Sequence, residues 1–439
     1  MNAYQLMSTG LLLVALPALG AIPAAVSPNR PGAALQPPGV ERPAAGPPRT
    51  VHGEPLRVDP DLSLAAAVRA AVQREPRQGV VAAQRSEATA LGRYGDSLIA
   101  GSPAVSLRHQ NDALGTNGGL REWEAGLELP LWRPGQRGAS QDLARAAARN
   151  ADTRGRALNL DVAGRVREAV WEIELRKRDL VQARQALRTA EALTRDVQRR
   201  VELGDLPRQD RLLADNEVLA RRTAALEAEA GLAHARRRYR SLTGLDRLPG
   251  HPAETLSPIR EIRLDNPRLA HANAAVAQAR AERERVRAAG AGSPTITLGT
   301  RHERDVNDTR YVDSVGLTLR WPIGTAAHTG PARAAAARGY AEAVADRDLL
   351  RRELAVNLHE ANHALEVTRT ALALAQREAR LGTERLRLAR IAFNTGELDL
   401  VEFLRVQDRA FMLQRAASIR AVERERAIAR YNQTVGALP

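Results

Sequence analysis

The 439-residue sequence contains no cysteine. Without thiols the chain can form no disulfide framework, no thiolate metal site and no cysteine nucleophile, and it offers no cysteine to an amino-terminal lipid. Long apolar runs are also missing, because outside residues 1–26 no window reaches the ~18 uninterrupted apolar residues of a membrane-spanning helix. The sequence therefore argues against a helical membrane protein.

Lysine is nearly absent, since Lys177 is the only one, and arginine supplies almost all of the positive charge. A net charge of +14 would favour a nucleic-acid partner if the arginines formed a patch. Instead they alternate with acids on predicted helices, as in residues 282–285 and 423–426, which indicates solvated faces with pairing between successive helical turns. We therefore predict no nucleic-acid partner.

The amino-terminal region has the composition of an export signal followed by a spacer. An apolar run from Gly10 to Leu16 precedes small residues, so residues 1–26 are predicted to be a secretory signal peptide, although they contain no arginine or lysine. Residues 27–60 contain nine prolines and several glycines, which interrupt both helices and sheet ladders. This segment is predicted to be a flexible or extended lead-in.

The rest of the chain contains the same pattern twice. Pro76 recurs as Pro267, and Gly204 recurs as Gly396, with an offset that stays near 190 residues throughout. Such a constant offset predicts a duplicated structural unit. Each unit reads as helix, hairpin, long helix, turn and helix.

These units divide the chain into three parts. The first repeat is predicted at 61–244, a linker at 245–265 and the second repeat at 266–436. Capping residues from Asp61 start the first helix, which is predicted to continue to about Gly92.

Alternating apolar and polar residues predict two strands in each repeat. The strands fall at about 103–110 and 122–132, and at about 294–303 and 311–321. Their length suits a tilted crossing of a lipid bilayer. Four strands cannot close a membrane barrel, and an open sheet edge cannot be left in lipid, so the chain must oligomerise if these strands span a membrane.

A very long helix follows each hairpin. One is predicted from about Arg137 to Leu203 and the other from about His328 to Thr395, with Pro331 in the first turn, where proline is tolerated. About 65 residues of helix make a rod of about 100 Å, for which a globular domain has no use.

Together these features resemble the TolC family of outer-membrane efflux ducts. The resemblance covers about Leu62 to Gly436 and rests on the duplicated layout, the strand ends 127–132 and 317–322, and the turns at Gly204 and Gly396. It implies a mainly α fold with a small membrane β portion, in which a homotrimer completes a 12-stranded barrel and its helices form a periplasmic cylinder. It also implies a passive duct without enzymatic activity or cofactor, which docks onto a periplasmic adaptor and an inner-membrane pump of the RND type.

Residues 129–137 and 396–400 look most like the branch that serves heavy-metal pumps of the cobalt-zinc-cadmium type. Heavy-metal cations are therefore the predicted cargo. A duct for organic toxicants or for type I secretion is the alternative within the family, and a coiled-coil scaffold is an alternative outside it.

Asp210 and Glu402 are candidate gate residues, because they occupy equivalent places six residues after the turn glycines. In the family this position lies at the narrow periplasmic end, so a trimer would collect six such carboxylates, with Asp399 nearby, and would attract cations. Two departures from the family pattern belong to the same candidate gate: Phe393 replaces a tyrosine that bonds across the closed tip, and Arg405 replaces a second acid. The alternative is that the acids only complement the helix dipole.

The two turns are candidate contacts for the adaptor, although ordinary helix-turn-helix packing would explain them too. Glycine provides the backbone freedom that ends each helix, and the leucines offer small apolar anchors. The candidate residues are Gly204, Asp205, Leu206, Gly396, Glu397, Leu398 and Leu400.

Trp132 and Trp321 end the second strand of each hairpin and are candidates for an aromatic belt at the periplasmic face of the membrane. Each could equally be a core residue at the joint between strand and helix.

The segment from His359 to His363 reads H-E-x-x-H, which on a helix can bind zinc beside a general base. Glu366 and Arg369 stand where an extended protease motif needs glycine and histidine, and the equivalent residues 167–171 contain no histidine. We therefore predict no catalytic site here; a zinc peptidase and a weak metal contact at the two histidines are the alternatives.

Overall fold

The computed structural model describes residues 56–439. The predicted signal peptide and all of the predicted lead-in before Leu56 lie outside the described residues. In the described part the fold is mainly helical with a few strands, which confirms the mainly α part of the predicted fold class.

The first repeat and the second repeat contain the same order of long elements. Strand β1 Arg57–Asp59 precedes the first repeat, which consists of α1 Leu64–Arg74, α2 Arg77–Asp96, β2 Ala104–Asn111, β3 Arg121–Pro130, α3 Gln136–Glu202 and α4 Arg208–Thr243. Strand β4 Arg247–Pro249 lies in the linker, and the second repeat consists of α5 Pro267–Ala289, β5 Thr295–Arg304, β6 Val312–Arg320, α6 Ala326–Asn394 and α7 Leu400–Val435.

The predicted first helix is two helices, so that prediction was wrong in detail. Helix α1 ends at Arg74, and α2 starts again at Arg77. Glu75 between them is extended, with φ −71° and ψ 114°, because the ring of Pro76 disfavours a helical conformation for the residue before it. Pro331 also lies two residues deeper in α6 than expected, beyond the first turn, since that helix begins at Ala326.

The end of the predicted lead-in and the linker form a small sheet, which the proline content had argued against. Strand β1 pairs in parallel with β4, and Val58 lies opposite Leu248. Three residues between Pro55 and Pro60 suffice for this ladder. The pair fastens the start of the first repeat to the linker.

A four-stranded antiparallel sheet joins the two repeats in the order β2-β3-β5-β6. Leu127 of β3 lies opposite Leu298 of β5, so the second strand of the first hairpin meets the first strand of the second hairpin at the centre. Strands β2 and β6 are the two edges.

Each helix packs against particular neighbours, and the order differs between the two ends of the helices. Beside the sheet the order of contacts is α2-α3-α5-α6, and beside the turns it is α4-α3-α7-α6. Helices α4 and α6 therefore lie at opposite edges of the helical layer near the turns. Across residues 56–439, none of the helices has both the length and the apolar character needed to cross a membrane.

Candidate functional site

Both helical hairpins turn through a glycine in the left-handed region, with φ 85° at Gly204 and 80° at Gly396. After α3, the N–H of Gly204 donates to Val201 O and the N–H of Asp205 donates to Arg200 O, at 3.1 and 2.8 Å. The second hairpin repeats this pair of bonds at Gly396 and Glu397. These are Schellman motifs, in which a side chain at the glycine position would be strained.

A small apolar core lies directly behind the two turns, and we call this end of the molecule the tip. Phe393 of α6 stacks on Phe403 of α7 with ring centroids 5.0 Å apart, and Leu400 is buried beside them. The guanidinium of Arg200 lies 4.9 Å from the centre of the Phe393 ring, and its Nη1 donates to Phe393 O at 3.3 Å. Arg200 thereby links the two hairpins.

This core corrects two of the candidate assignments. Phe393 is 2% exposed and Leu400 is 1% exposed, because both pack into the tip core. Phe393, which has no hydroxyl group, faces the tip core, and Leu400 is too deeply buried to contact a partner. Both stabilise the turns from within.

The surface of the tip is acidic and partly apolar. Asp205 and Glu397 are exposed, whereas Leu206 and Leu398 are half-buried against the tip core. Among the apolar side chains that are exposed at the tip are Leu203, 71% exposed, and Val401, 51% exposed. Sequence reasoning missed both, although each lies within a few residues of its turn glycine.

Asp210 and Asp399 interact across the two hairpins. Partial burial, and secondly the negative charge of Asp399, raise the pKa of the Asp210 carboxyl above its ordinary value. The Asp399 carboxylate also caps α7, because its Oδ1 accepts the N–H of Glu402 at 2.7 Å. Pro207 occupies the equivalent place before α4 and gives no such cap.

Glu402 does not share this environment. Its Oε2 accepts from Arg405 Nη1 at 2.8 Å, one helical turn further along α7. Each chain thus brings together Asp210 and Asp399 as the interacting acids of the tip, while the charge of Glu402 is balanced by Arg405.

At the other end of the helices, the sheet has one apolar and one polar face. Cross-strand neighbours on the apolar face are exposed, although they are large hydrophobic residues. They include Val105, Leu107, Leu127, Leu298, Val315, Leu317 and Leu319.

The polar face of the sheet carries a network of ion pairs between side chains. Arg301 lies 2.6 Å from Glu122, 3.1 Å from Glu124 and 3.3 Å from Glu303, and it ties β3 to β5. The next row of this face, two residues nearer the helices on each strand, contains only small residues: Ser106, Gly126, Gly299 and Gly316.

The two tryptophans lie where the sheet meets the helices, in different environments. Trp132 is half-buried, its Nε1 donates to Ser97 O at 3.0 Å, and its ring meets Tyr94 edge-on at 5.1 Å. Trp321 is half exposed, with the Arg133 guanidinium 5.8 Å from its ring centre. Trp132 therefore has the contacts of a joint residue, and Trp321 has the exposure that a membrane belt needs.

His359 and His363 lie exposed on α6, four residues apart. Among residues 56–439, no three histidine or acidic side chains come close enough together to hold a metal ion. The motif has the spacing of a zinc site, but residues 56–439 supply no third ligand to it.

Solved structures share the arrangement of sheet, long helices and turns. A membrane protein from Pseudomonas aeruginosa matches with a TM-score of 0.70 at 18% identity, over 91% of this chain and 97% of that one. The outer membrane protein VceC from Vibrio cholerae gives 0.69 at 13% identity, over 85% and 96% of the two chains. The CmeC outer membrane channel of Campylobacter jejuni gives 0.65 at 16% identity, over 85% of each. The chain has the fold of these membrane proteins.

No protein-family model and no curated protein sequence matches the chain. At identities below 20% the shared fold is the firm result, since one fold can serve several functions. The functional argument therefore depends on the surfaces just described.

Proposed function

We propose that this chain is one subunit of a homotrimeric efflux duct in the outer membrane of a Gram-negative bacterium. The observation that carries the proposal is the sheet, which combines an exposed apolar face with two unpaired edges, β2 and β6. An apolar face suits lipid, but unpaired backbone groups at an edge in lipid cost several kcal/mol each. Pairing with further copies removes that cost.

The strand directions allow such a ring. Because the four strands alternate in direction, β2 of one copy would lie antiparallel to β6 of the next. Three copies would supply the 12 strands that the family resemblance implies, with the polar face and its Arg301 network lining the interior. A duct of this kind moves cargo passively and has neither an active site nor a cofactor.

The helices would extend the duct into the periplasm, and the tip would meet a periplasmic adaptor and an inner-membrane pump of the RND type. Exposed Leu203 and Val401, beside the half-buried Leu206 and Leu398, offer apolar contacts there, with Asp205 at the rim. The Schellman turns support a fixed presentation of these residues.

Heavy-metal cations are the proposed cargo. The resemblance of residues 129–137 and 396–400 to the heavy-metal branch supports this, and so does the pair Asp210 and Asp399, because acids at a constriction attract cations. Resistance of a deletion strain to zinc, cobalt, cadmium, nickel and organic toxicants would test the cargo. Sensitivity to organic toxicants alone would contradict it.

Fractionation of cells that express the full chain tests the duct itself. The duct proposal expects the protein in the outer membrane, released only by detergent, as a trimer that dissociates on heating. A detergent-independent soluble dimer would favour a coiled-coil scaffold instead. Zinc-dependent proteolysis that disappears in His359→Ala would favour a peptidase.

A further inference from the structure

Two exposed rows of leucine run along the edge helices near the tip. Both rows have a spacing of seven residues, and every member is more than half exposed although it is large and apolar. A repeat of seven keeps one side of a helix facing a single partner helix. The rows are Leu212, Leu219 and Leu226 on α4, and Leu374, Leu381 and Leu388 on α6.

The two rows have matching distances from their turns. The α4 leucines follow Gly204 by 8, 15 and 22 residues, and the α6 leucines precede Gly396 by 8, 15 and 22 residues. Helix α4 runs away from the tip and α6 runs towards it. With the same rise of about 1.5 Å per residue on both helices, each α4 leucine has an α6 counterpart at its own height.

The two turns are level within one chain. Arg200, four residues before Gly204, donates to the carbonyl of Phe393, three residues before Gly396. A ring with rotational symmetry moves no residue along the axis, so equal heights within one chain are equal heights between copies. Helices α4 and α6, at opposite edges of the helical layer, become neighbours only across such a ring.

Charges on the same helices match in the same register. Asp215 follows Gly204 by 11 residues and Arg385 precedes Gly396 by 11; Arg222 and Glu378 each lie 18 residues from their turns. In the proposed ring, opposite charges would therefore lie at the same height in two places. Within the chain Asp215 lies 3.9 Å from Arg211 on its own helix, which leaves it half exposed.

A shift of α6 by one heptad relative to α4 would bring like charges together instead of opposite ones. Moving α6 by seven residues in one direction places Asp215 opposite Glu378, and moving it in the other direction places Arg222 opposite Arg385. Like charges at such flanking positions select against the wrong register. The leucines alone would form at least two leucine–leucine contacts in each of the three registers. The charges therefore decide which register is favoured.

We infer that α4 of one copy and α6 of the next form an antiparallel leucine seam, with Leu212 against Leu388, Leu219 against Leu381, and Leu226 against Leu374. The inference rests on the ring of copies in the proposed function and adds the helix pair and register that join them. Its partner is a second copy of this chain.

The absence of native cysteine makes a clean cross-linking test possible. The full chain carrying Leu219→Cys and Leu381→Cys would be oxidised in the outer membrane and separated under denaturing, non-reducing conditions. The matched controls are Leu219→Cys with Leu374→Cys and Leu219→Cys with Leu388→Cys, which shift one cysteine by a heptad. Seven residues displace a Cα by about 10 Å, beyond the reach of a disulfide.

The inference expects covalent dimers and trimers from the matched pair, at about tenfold the yield of either shifted pair. A higher yield from a shifted pair would overturn the register. An intact trimer without any cross-link, or a cross-link within single chains, would overturn the seam but leave the duct standing. A protein that forms no trimer would overturn the seam together with the proposed function.

Charge reversal provides a second readout that does not depend on cysteine. Asp215→Arg would place two cations together at the seam and lower the temperature at which the trimer dissociates, and Arg385→Asp added to it would restore that temperature. Equal dissociation temperatures for the single and double variants would contradict the pairing of these two residues.

Discussion

Arg167 and Glu254 form a buried, two-pronged ion pair across 87 residues of chain. Arg167 Nε and Nη2 donate to the two carboxylate oxygens of Glu254 at 2.9 and 2.7 Å, and the arginine side chain is 3% exposed. Its remaining donors reach Gln433 Oε1 at 2.6 Å and Ala437 O at 2.9 Å. One side chain of α3 thus joins the linker and the end of the second repeat.

Replacing this arginine should therefore destabilise the chain strongly. Arg167→Met leaves the Glu254 carboxylate buried without its cation, and breaking such a pair costs about 3–5 kcal/mol of unfolding free energy. Denaturation of the detergent-extracted protein measures the loss. Arg338→Met is the matched control, since its pair with Glu342 is exposed and worth about 0–1 kcal/mol. Equal losses in the two variants would contradict the structural role of Arg167.

Glu75 should make stability depend on pH in the acid range. Hydrogen bonds from Arg77, and secondly from Arg165, lower the pKa of the Glu75 carboxyl from 4.5 to about 2. The folded state thus holds this proton less tightly than the unfolded state, so the stabilisation is present above pH 4.5 and is lost as the pH falls towards 2.

Glu75→Gln should accordingly lower the free energy of unfolding near neutral pH by about 1–3 kcal/mol, and the difference should shrink with acidification. Denaturant titrations at several pH values measure it. Glu87→Gln, at an exposed site on α2, is the control and should have little effect. A difference for Glu75→Gln that stays constant down to pH 2 would refute this assignment.

Asp210 should make the stability of the tip depend on pH in the direction opposite to that of Glu75. Because burial and Asp399 raise its pKa, the packed tip is favoured while Asp210 is protonated and loses that support as the pH rises through the raised pKa. Asp210→Asn should keep the tip packed at neutral pH and lower the cation conductance of the trimer in a planar bilayer. Asp205→Asn, at an exposed position, is the control. Identical conductance of the Asp210→Asn and Asp205→Asn variants at every pH would show that Asp210 has no role in the gate.

Two leucines at the tip should separate binding from stability. Leu203→Ser changes an exposed side chain, so it should weaken adaptor binding severalfold while thermal stability stays the same. Leu400→Ala opens a cavity in the tip core and should cost about 2–5 kcal/mol. Adaptor titration and thermal denaturation of both variants measure the two effects. Loss of stability in Leu203→Ser would show that this residue supports the fold.

The mainly helical fold with a few strands could be predicted because its signals are local. Long stretches with almost no proline favour uninterrupted helices, and alternation with a period of two favours strands with two different faces. The break at Glu75 could also have been predicted, since a residue before proline avoids the helical region. It was missed because the helical periodicity on both sides of it favours one continuous helix.

The environment of single side chains could not be predicted in this way. Phe393 and Leu400 have ordinary helical spacing, and only the approach of the second hairpin buries them. The contacts of Arg167 join segments up to 270 residues apart, which no local pattern specifies. The interaction of Asp210 with Asp399 depends on the same approach of the two turns.

Subunit counting combined with conductance tests the central claim most directly. The full chain, extracted from the outer membrane, should have three times the protein mass of one subunit by native mass spectrometry. The same preparation should form discrete ion-conducting pores in planar bilayers. A single-subunit mass in detergent-free buffer, with no pores in the bilayer, would contradict the account.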